Sequence, residues 1–187
     1  IYATAPLTMR GKIRVTGPVG PSQVAGYEHQ YIAGVVATAN LTLDGITFTD
    51  IRHNPENGNP ISGMQTGNAI VVSGASVTDV SITNCTIERF QKQGITLYTE
   101  NANVQLSNNT IQGVGPVGDG MAAQNGIMIW GCADGSSISD NNISDIAYTG
   151  NSSAVGIYPY TDNVKGLTVS GNTLTNVQIP ITPNTNG

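Results

Sequence analysis

The chain has 187 residues, 39% hydrophobic, 10% charged and 5% aromatic, with 23 Gly and a net charge of −5. That apolar content at this length excludes a disordered chain and is enough to bury a substantial core. Seven scattered Lys and Arg give no basic patch for nucleic acid, and no apolar run reaches the length of a membrane span.

The chain opens on Ile, so it is expected to be a segment of a longer protein. Residues 1–40 hold two degenerate strand-like stretches, "LTMRGKIRVTG" and "AGVVATAN". From Leu41 the pattern becomes regular. An eleven-residue phrase occurs five times: "LTLDGITFTDI" from Leu41, "VSITNCTIERF" from Val80, "VQLSNNTIQGV" from Val104, "SSISDNNISDI" from Ser136 and "LTVSGNTLTNV" from Leu167.

Its third column is Leu43, Ile82, Leu106, Ile138 and Val169; its eighth is Phe48, Ile87, Ile111, Ile143 and Leu174. The eleventh is Ile51, Phe90, Val114, Ile146 and Val177, also apolar. Column five holds Gly45, Asn84, Asn108, Asp140 and Gly171, residues that reach a left-handed backbone cheaply. Each phrase therefore reads as strand, sharp corner, strand. Five N-x-S/T triplets, at Asn40, Asn84, Asn108, Asn142 and Asn151, are read as products of this turn chemistry.

After each phrase comes a third strand: "AIVVSG" from Ala69, "GITLYT" from Gly94, "GIMIWG" from Gly126, "GIYPYT" from Gly156 and "QIPIT" from Gln178. Phrase starts are 39, 24, 32 and 31 residues apart, so a coil needs about two dozen residues and the excess lies in one loop. Those inserts are "RHNPENGNPISGMQTGN", "QKQG", "GPVGDGMAAQNG" and "AYTGNSSAVG".

The repeated "I-x-x-N-x-I" and "G-I-x-L" pattern resembles the right-handed parallel β-helix superfamily, which includes pectate lyases, polygalacturonases, alginate epimerases and phage tailspikes. The resemblance spans about Leu41 to Thr182 and implies an all-β, single-stranded solenoid of about six coils, one domain over 1–187, with three short sheets and the inserts on one side. It places the "G-I-x-L" strands in the first sheet, columns one to three in the second and columns seven to nine in the third. Column six (Ile46, Cys85, Asn109, Asn141, Asn172) becomes an internal ladder in which stacked Asn side chains share amide hydrogen bonds. Cys85 then reads as a buried member of that ladder, and a Cys85–Cys132 bridge is not expected.

Alternation along the first-sheet strands sends Val71, Thr96, Met128, Tyr158 and Pro180 outward, then Ser73, Tyr98, Trp130, Tyr160 and Thr182. Tyr98, Trp130 and Tyr160 form an aromatic column beside Tyr158, suited either to stacking on sugar C–H faces or to burial under the inserts. Glu100, Asp134 and Asp162 follow the column, one per coil, as candidate acid–base carboxylates, Ca²⁺ ligands or solvated turn residues. No other cofactor is indicated.

The first insert groups Arg52, His53 and Glu56. A polysaccharide lyase needs a base for the proton beside a uronate carboxyl and a cation to neutralise that carboxyl. His53 or a Tyr is the candidate base, Arg52 or Lys92 the candidate cation, and Asp119 in the third insert a further catalytic candidate. The chain lacks the family's paired-aspartate, G-H-G, R-I-K and D-P-H signatures, so no catalytic residue is carried over by motif.

Two functional expectations follow. One is an extracellular, cell-surface or virion protein that binds or cleaves a polysaccharide on the first sheet. The other is a structural solenoid, such as a fibre, adhesin or stalk, assembling as a trimer or end to end.

Overall fold

A computed structural model describes residues 1–17, 33–52, 67–161, 164 and 166–182. Nineteen strands occupy them, in turns of three around one axis. The first coil is β1 (Tyr2–Ala3), β2 (Leu7–Arg10) and β3 (Arg14–Thr16); the second is β4 (Ala33–Ala37), β5 (Leu41–Asp44) and β6 (Thr47–Thr49). Then come β7 (Asn68–Ser73), β8 (Asp79–Thr83) and β9 (Thr86–Glu88), followed by β10 (Gln93–Tyr98), β11 (Asn103–Ser107) and β12 (Thr110–Val117). The stack continues with β13 (Asn125–Ile129), β14 (Ser137–Ser139), β15 (Asn142–Tyr148), β16 (Val155–Pro159), β17 (Thr168–Ser170), β18 (Thr173–Val177) and β19 (Ile179–Ile181).

Every third strand pairs in parallel, giving sheets β1-β4-β7-β10-β13-β16-β19, β2-β5-β8-β11-β14-β17 and β3-β6-β9-β12-β15-β18. This is the right-handed parallel β-helix of about six coils that the repeat implies, with the three strand classes in the expected sheets. Like pairs with like: Leu7, Leu41, Val80 and Val104 are in register, as are Ile87, Ile111, Ile143 and Leu174. The aliphatic columns fuse into one core from Val35 to Val164, wrapped by the three sheets.

The first corner is made as expected. Gly45, Asn84, Asn108, Asp140 and Gly171 all have φ between 55° and 75°. Behind them, Asn109 Nδ2 donates to Asn141 Oδ1 at 2.9 Å and Asn141 Nδ2 to Asn172 Oδ1 at 2.8 Å. Each Asn oxygen also accepts the backbone N–H one coil back, from Cys85, Asn109 and Asn141. The buried amides are thus satisfied, which removes the cost of placing them there. Cys85 is buried at the head of this ladder, neither cysteine is in a disulfide, and burial raises the Cys85 thiol pKa.

A second left-handed corner, unexpected from the phrase, falls in column ten: Asp50, Arg89, Asp145 and Asn176 have φ between 52° and 57°. In the fourth coil the left-handed residue is Gly115 instead, and the β12–β15 register shifts between Gln112 and Gly115. That extra residue moves Val114 off its expected core column. It is half-buried and packs against Val117 and Ala122, while Gly115 pairs with Ile146.

The last strand also differs in register. Ile179 pairs with Val155 and Ile181 with Ile157, so Ile179 faces outward and Thr182 follows Tyr158, not Tyr160. Gln178 sets this: its N–H donates to Ile146 O, and its Oε1 accepts from the N–H groups of Tyr148 and Ala154.

Candidate functional site on the outer face of the first sheet

Gly34, Gly94, Gly126 and Gly156 recur one residue into the first-sheet strands. A Cβ at Gly126 would lie 2.5 Å from Gly156 O and 3.1 Å from the Ile143 side chain, so this column faces the core at close range. The following residue (Ile95, Ile127, Ile157) is also fully buried in the core. Two successive inward positions leave Gln93, Asn125 and Val155 on the outer face, ahead of Thr96, Met128 and Tyr158. Gln93 confirms the placement: its Nε2 lies 3.0 Å from Met128 Sδ, and its Oε1 accepts from Thr96 Oγ1 at 2.6 Å.

At the far end of these strands stand the aromatic rings. The parallel ladder continues through them, with Trp130 N–H donating to Leu97 O and Tyr160 N–H to Ile129 O. Ring centroids are 5.5 Å apart for Tyr98–Trp130, 4.5 Å for Trp130–Tyr160 and 5.2 Å for the edge-on pair Tyr158–Tyr160. Tyr98 leans on Val36 and Val71. Trp130 and Tyr160 remain 37% and 47% exposed. Burial, and secondarily Tyr160, raises the Tyr158 phenol pKa.

At the near end, the third and fourth inserts rise together. Pro116 and Val117 pair with Ala147 and Tyr148, and Thr149 N–H donates to Val117 O. Met121, Ala123, Tyr148, Ser152 and Ser153 from these inserts wall a cavity of about 360 Å³. Its floor is Asn125, Val155, Tyr158, Ile179 and Thr182, and Lys92 reaches it from the preceding coil. Lys92 Nζ donates to Ala123 O at 2.5 Å, and burial lowers its pKa.

The other sequence candidates are dispersed. Arg52 is bound to Asp50 at 3.0 Å, and Asp50 also takes a two-pronged contact from Arg89 Nε and Nη2 at 2.9 and 2.8 Å. The Arg89 hydrogen bond is the main reason the Asp50 pKa is lowered. This cluster belongs to the column-ten corner, and Arg52 is committed to it. Glu100 and Asp134 are exposed in the turns after β10 and β13, with Asp134 packed over Gly166. Asp119 is exposed beside Gly150 in the neighbouring insert. His53, Glu56 and Asp162 lie outside the described residues. Among the described residues no three His, Cys, Asp or Glu side chains gather in a metal-binding group.

Sequence reasoning found the aromatic column and missed the cavity. The available signal was Lys92 in "QKQG": the shortest insert ties its backbone close to the sheet, and both neighbours, Gln91 and Gln93, are buried.

The family described as "Right handed beta helix region" matches residues 28–143, more than half the chain. The chain belongs to that family. No curated protein and no solved structure gave a match.

Proposed function

We propose that this β-helix binds a polysaccharide along the outer face of its first sheet, in an extracellular, cell-surface or virion setting. The observation that carries the proposal is the Tyr98–Trp130–Tyr160 column, with Tyr98 half-buried and Trp130 and Tyr160 exposed, whose rings are held by the sheet ladder at 4.5–5.5 Å from centroid to centroid. Rings fixed in this way offer apolar faces to sugar C–H groups without an ordering cost on binding, while the phenol and indole edges supply polar contacts. The low surface charge and the Asn, Thr and Ser-rich exterior agree with an uncharged or weakly charged partner. Binding is favoured over bond cleavage because the support is a surface and not an acid–base pair.

The test is a panel of neutral and uronate glycans titrated against intrinsic Trp130 fluorescence, with ultraviolet absorbance and reducing ends followed in parallel. Trp130→Ala is expected to weaken binding at least about tenfold, the usual size of a stacking contact's loss, with thermal stability little changed. Absence of binding to every glycan would remove this proposal. Product formation would extend it to a lyase, hydrolase or epimerase, with Asp119, Glu100 and Asp134 the first residues to mutate.

A second proposal, a structural solenoid, draws on the last coil. Leu174 and Val177 there are only half-buried and Ile181 is exposed, and no described strand pairs with the outer edges of β17, β18 and β19. Unpaired edges accept further strands, from the same chain or from another copy. Sedimentation over a range of protein concentrations reads this directly, with a concentration-independent monomer counting against it.

A further inference from the structure

A lysine that faces no carboxylate lines the first-sheet cavity. Lys92 makes no ion pair among the described residues, and its Nζ has one acceptor, Ala123 O at 2.5 Å. The titratable side chains that share the described lining with it are Tyr148 and Tyr158, and no Asp, Glu, His or Arg is among them. Arg89, three residues earlier, shows the contrast, because a two-pronged contact with Asp50 fixes its charge. At Lys92 withdrawal from water disfavours the ammonium and no counter-charge restores it, so burial holds its pKa below the ordinary lysine value.

A free amine is a nucleophile and an ammonium is not, and a desolvated site without an acidic neighbour is one way a protein activates lysine toward carbonyl carbon. The rest of the lining fits an aldehyde. Thr182 Oγ1, on the cavity floor, is buried with no hydrogen-bond partner, which leaves it a donor for a carbonyl oxygen. Ser152 and Ser153 add two hydroxyls, and about 360 Å³ admits a small ligand. We propose that Lys92 is the amine of an imine-forming site in this cavity, which takes an aldehyde whose oxygen is held by Thr182. The Lys92 nitrogen adds to the carbonyl carbon as the C=O π pair moves to oxygen. A proton then passes from nitrogen to that oxygen, and the C–O bond breaks to release water and leave Lys92–N=CH–R. The aldehyde and the lysine are converted to imine and water with no change of oxidation state, so no oxidant or reductant is needed. This chemistry stands apart from the glycan-binding function above and does not rest on it.

The chain has three lysines, Lys12, Lys92 and Lys165, so labelling can be followed at each one. The protein is incubated with glycolaldehyde and cyanoborohydride, which reduces an imine to a stable secondary amine, and the adducts are located by peptide mass mapping. A lysine in water is the free amine in only about one molecule in two or three thousand at pH 7. Lys92 is therefore expected to label at least about tenfold faster than the exposed Lys12 at pH 7. That lead should shrink as the pH rises to about 10, where lysines in water also become free amines. It should vanish in guanidinium chloride, which removes the cavity. Thr182→Val should slow the labelling of Lys92 several-fold and leave Lys12 unchanged, whereas an unchanged Lys92 rate removes Thr182 from the site. Labelling of Lys92 no faster than Lys12 in the folded protein, or a lead that survives denaturation, overturns the imine site and leaves glycan binding standing.

Discussion

A single amide shows how much of this fold rests on one residue type. Asn141 donates to Leu106 O, Ser139 O and Asn172 Oδ1, and accepts from the N–H and side chain of Asn109. Leucine has a similar volume and can replace none of these bonds. Asn141→Leu is therefore expected to cost about 3 kcal/mol, because it leaves buried groups on two neighbouring coils unsatisfied. Urea denaturation with an unchanged slope would measure it, and a loss below about 1 kcal/mol would show that the ladder is dispensable. The ladder was legible because the resemblance places column six inside the coil, where Asn109, Asn141 and Asn172 follow the apolar Ile46 and Cys85 of the earlier copies. The column-ten corner was not legible. Its members Asp50, Arg89, Asp145 and Asn176 include an Arg, whose left-handed conformation gives no warning, and in the fourth coil the position passes to Gly115, outside column ten.

At the scale of the strand, the recurrent Gly of the first sheet is a packing requirement rather than a turn signal. Gly126→Ala is expected to cost about 2 kcal/mol, since its Cβ would press on Gly156 O. Gly118→Ala, where the nearest atom is Thr149 Oγ1 at 3.5 Å, should be nearly neutral. Equal costs would mean that the coil spacing can relax. Ala69 occupies the same column two coils before Gly126, between Gly34 and Gly94, so the column demands the smallest side chains and not glycine alone.

The column-ten corner yields a pH prediction. Asp50 is held below its ordinary pKa chiefly by the Arg89 hydrogen bond, and Asp145 chiefly by the one from Gln112. A depressed carboxylate contributes stability above its unfolded pKa and loses it as pH falls through the folded value. Stability should therefore decline as the pH falls below about 4. Asp50→Asn keeps a residue that tolerates the left-handed backbone while removing the charge, so its acid limb should be shallower than that of the wild-type protein. Parallel acid limbs would argue that Asp50 contributes nothing through its ionisation.

Across the whole molecule, repetition made the architecture readable and hid the places where the coils depart from one another. Inserts have no register to count, so the Lys92 cavity emerged only once the third and fourth inserts were seen to rise as paired strands. The final register slipped for a related reason: "QIPIT" matches its predecessors in apolar spacing, but Gln178, by accepting two backbone N–H groups, sets the strand two positions back, so that Ile181 and not Ile179 meets Ile157.

Solenoid stability is a sum over coils and their interfaces, so it should vary along the axis. Leu106 is fully buried with coils on both sides, whereas Leu174 is half-buried in the last described coil. Leu106→Ala is expected to cost about 3 kcal/mol and Leu174→Ala about 1 kcal/mol, because a cavity open to solvent on one side collapses or fills. Hydrogen exchange should follow the same gradient, with amides of β17–β19 losing protection before those of β10 and β11. Uniform protection would contradict an open last coil. Protection of β17–β19 that grows with protein concentration would instead mean that a second copy supplies the missing strands, which would turn the structural solenoid from the second proposal into the first.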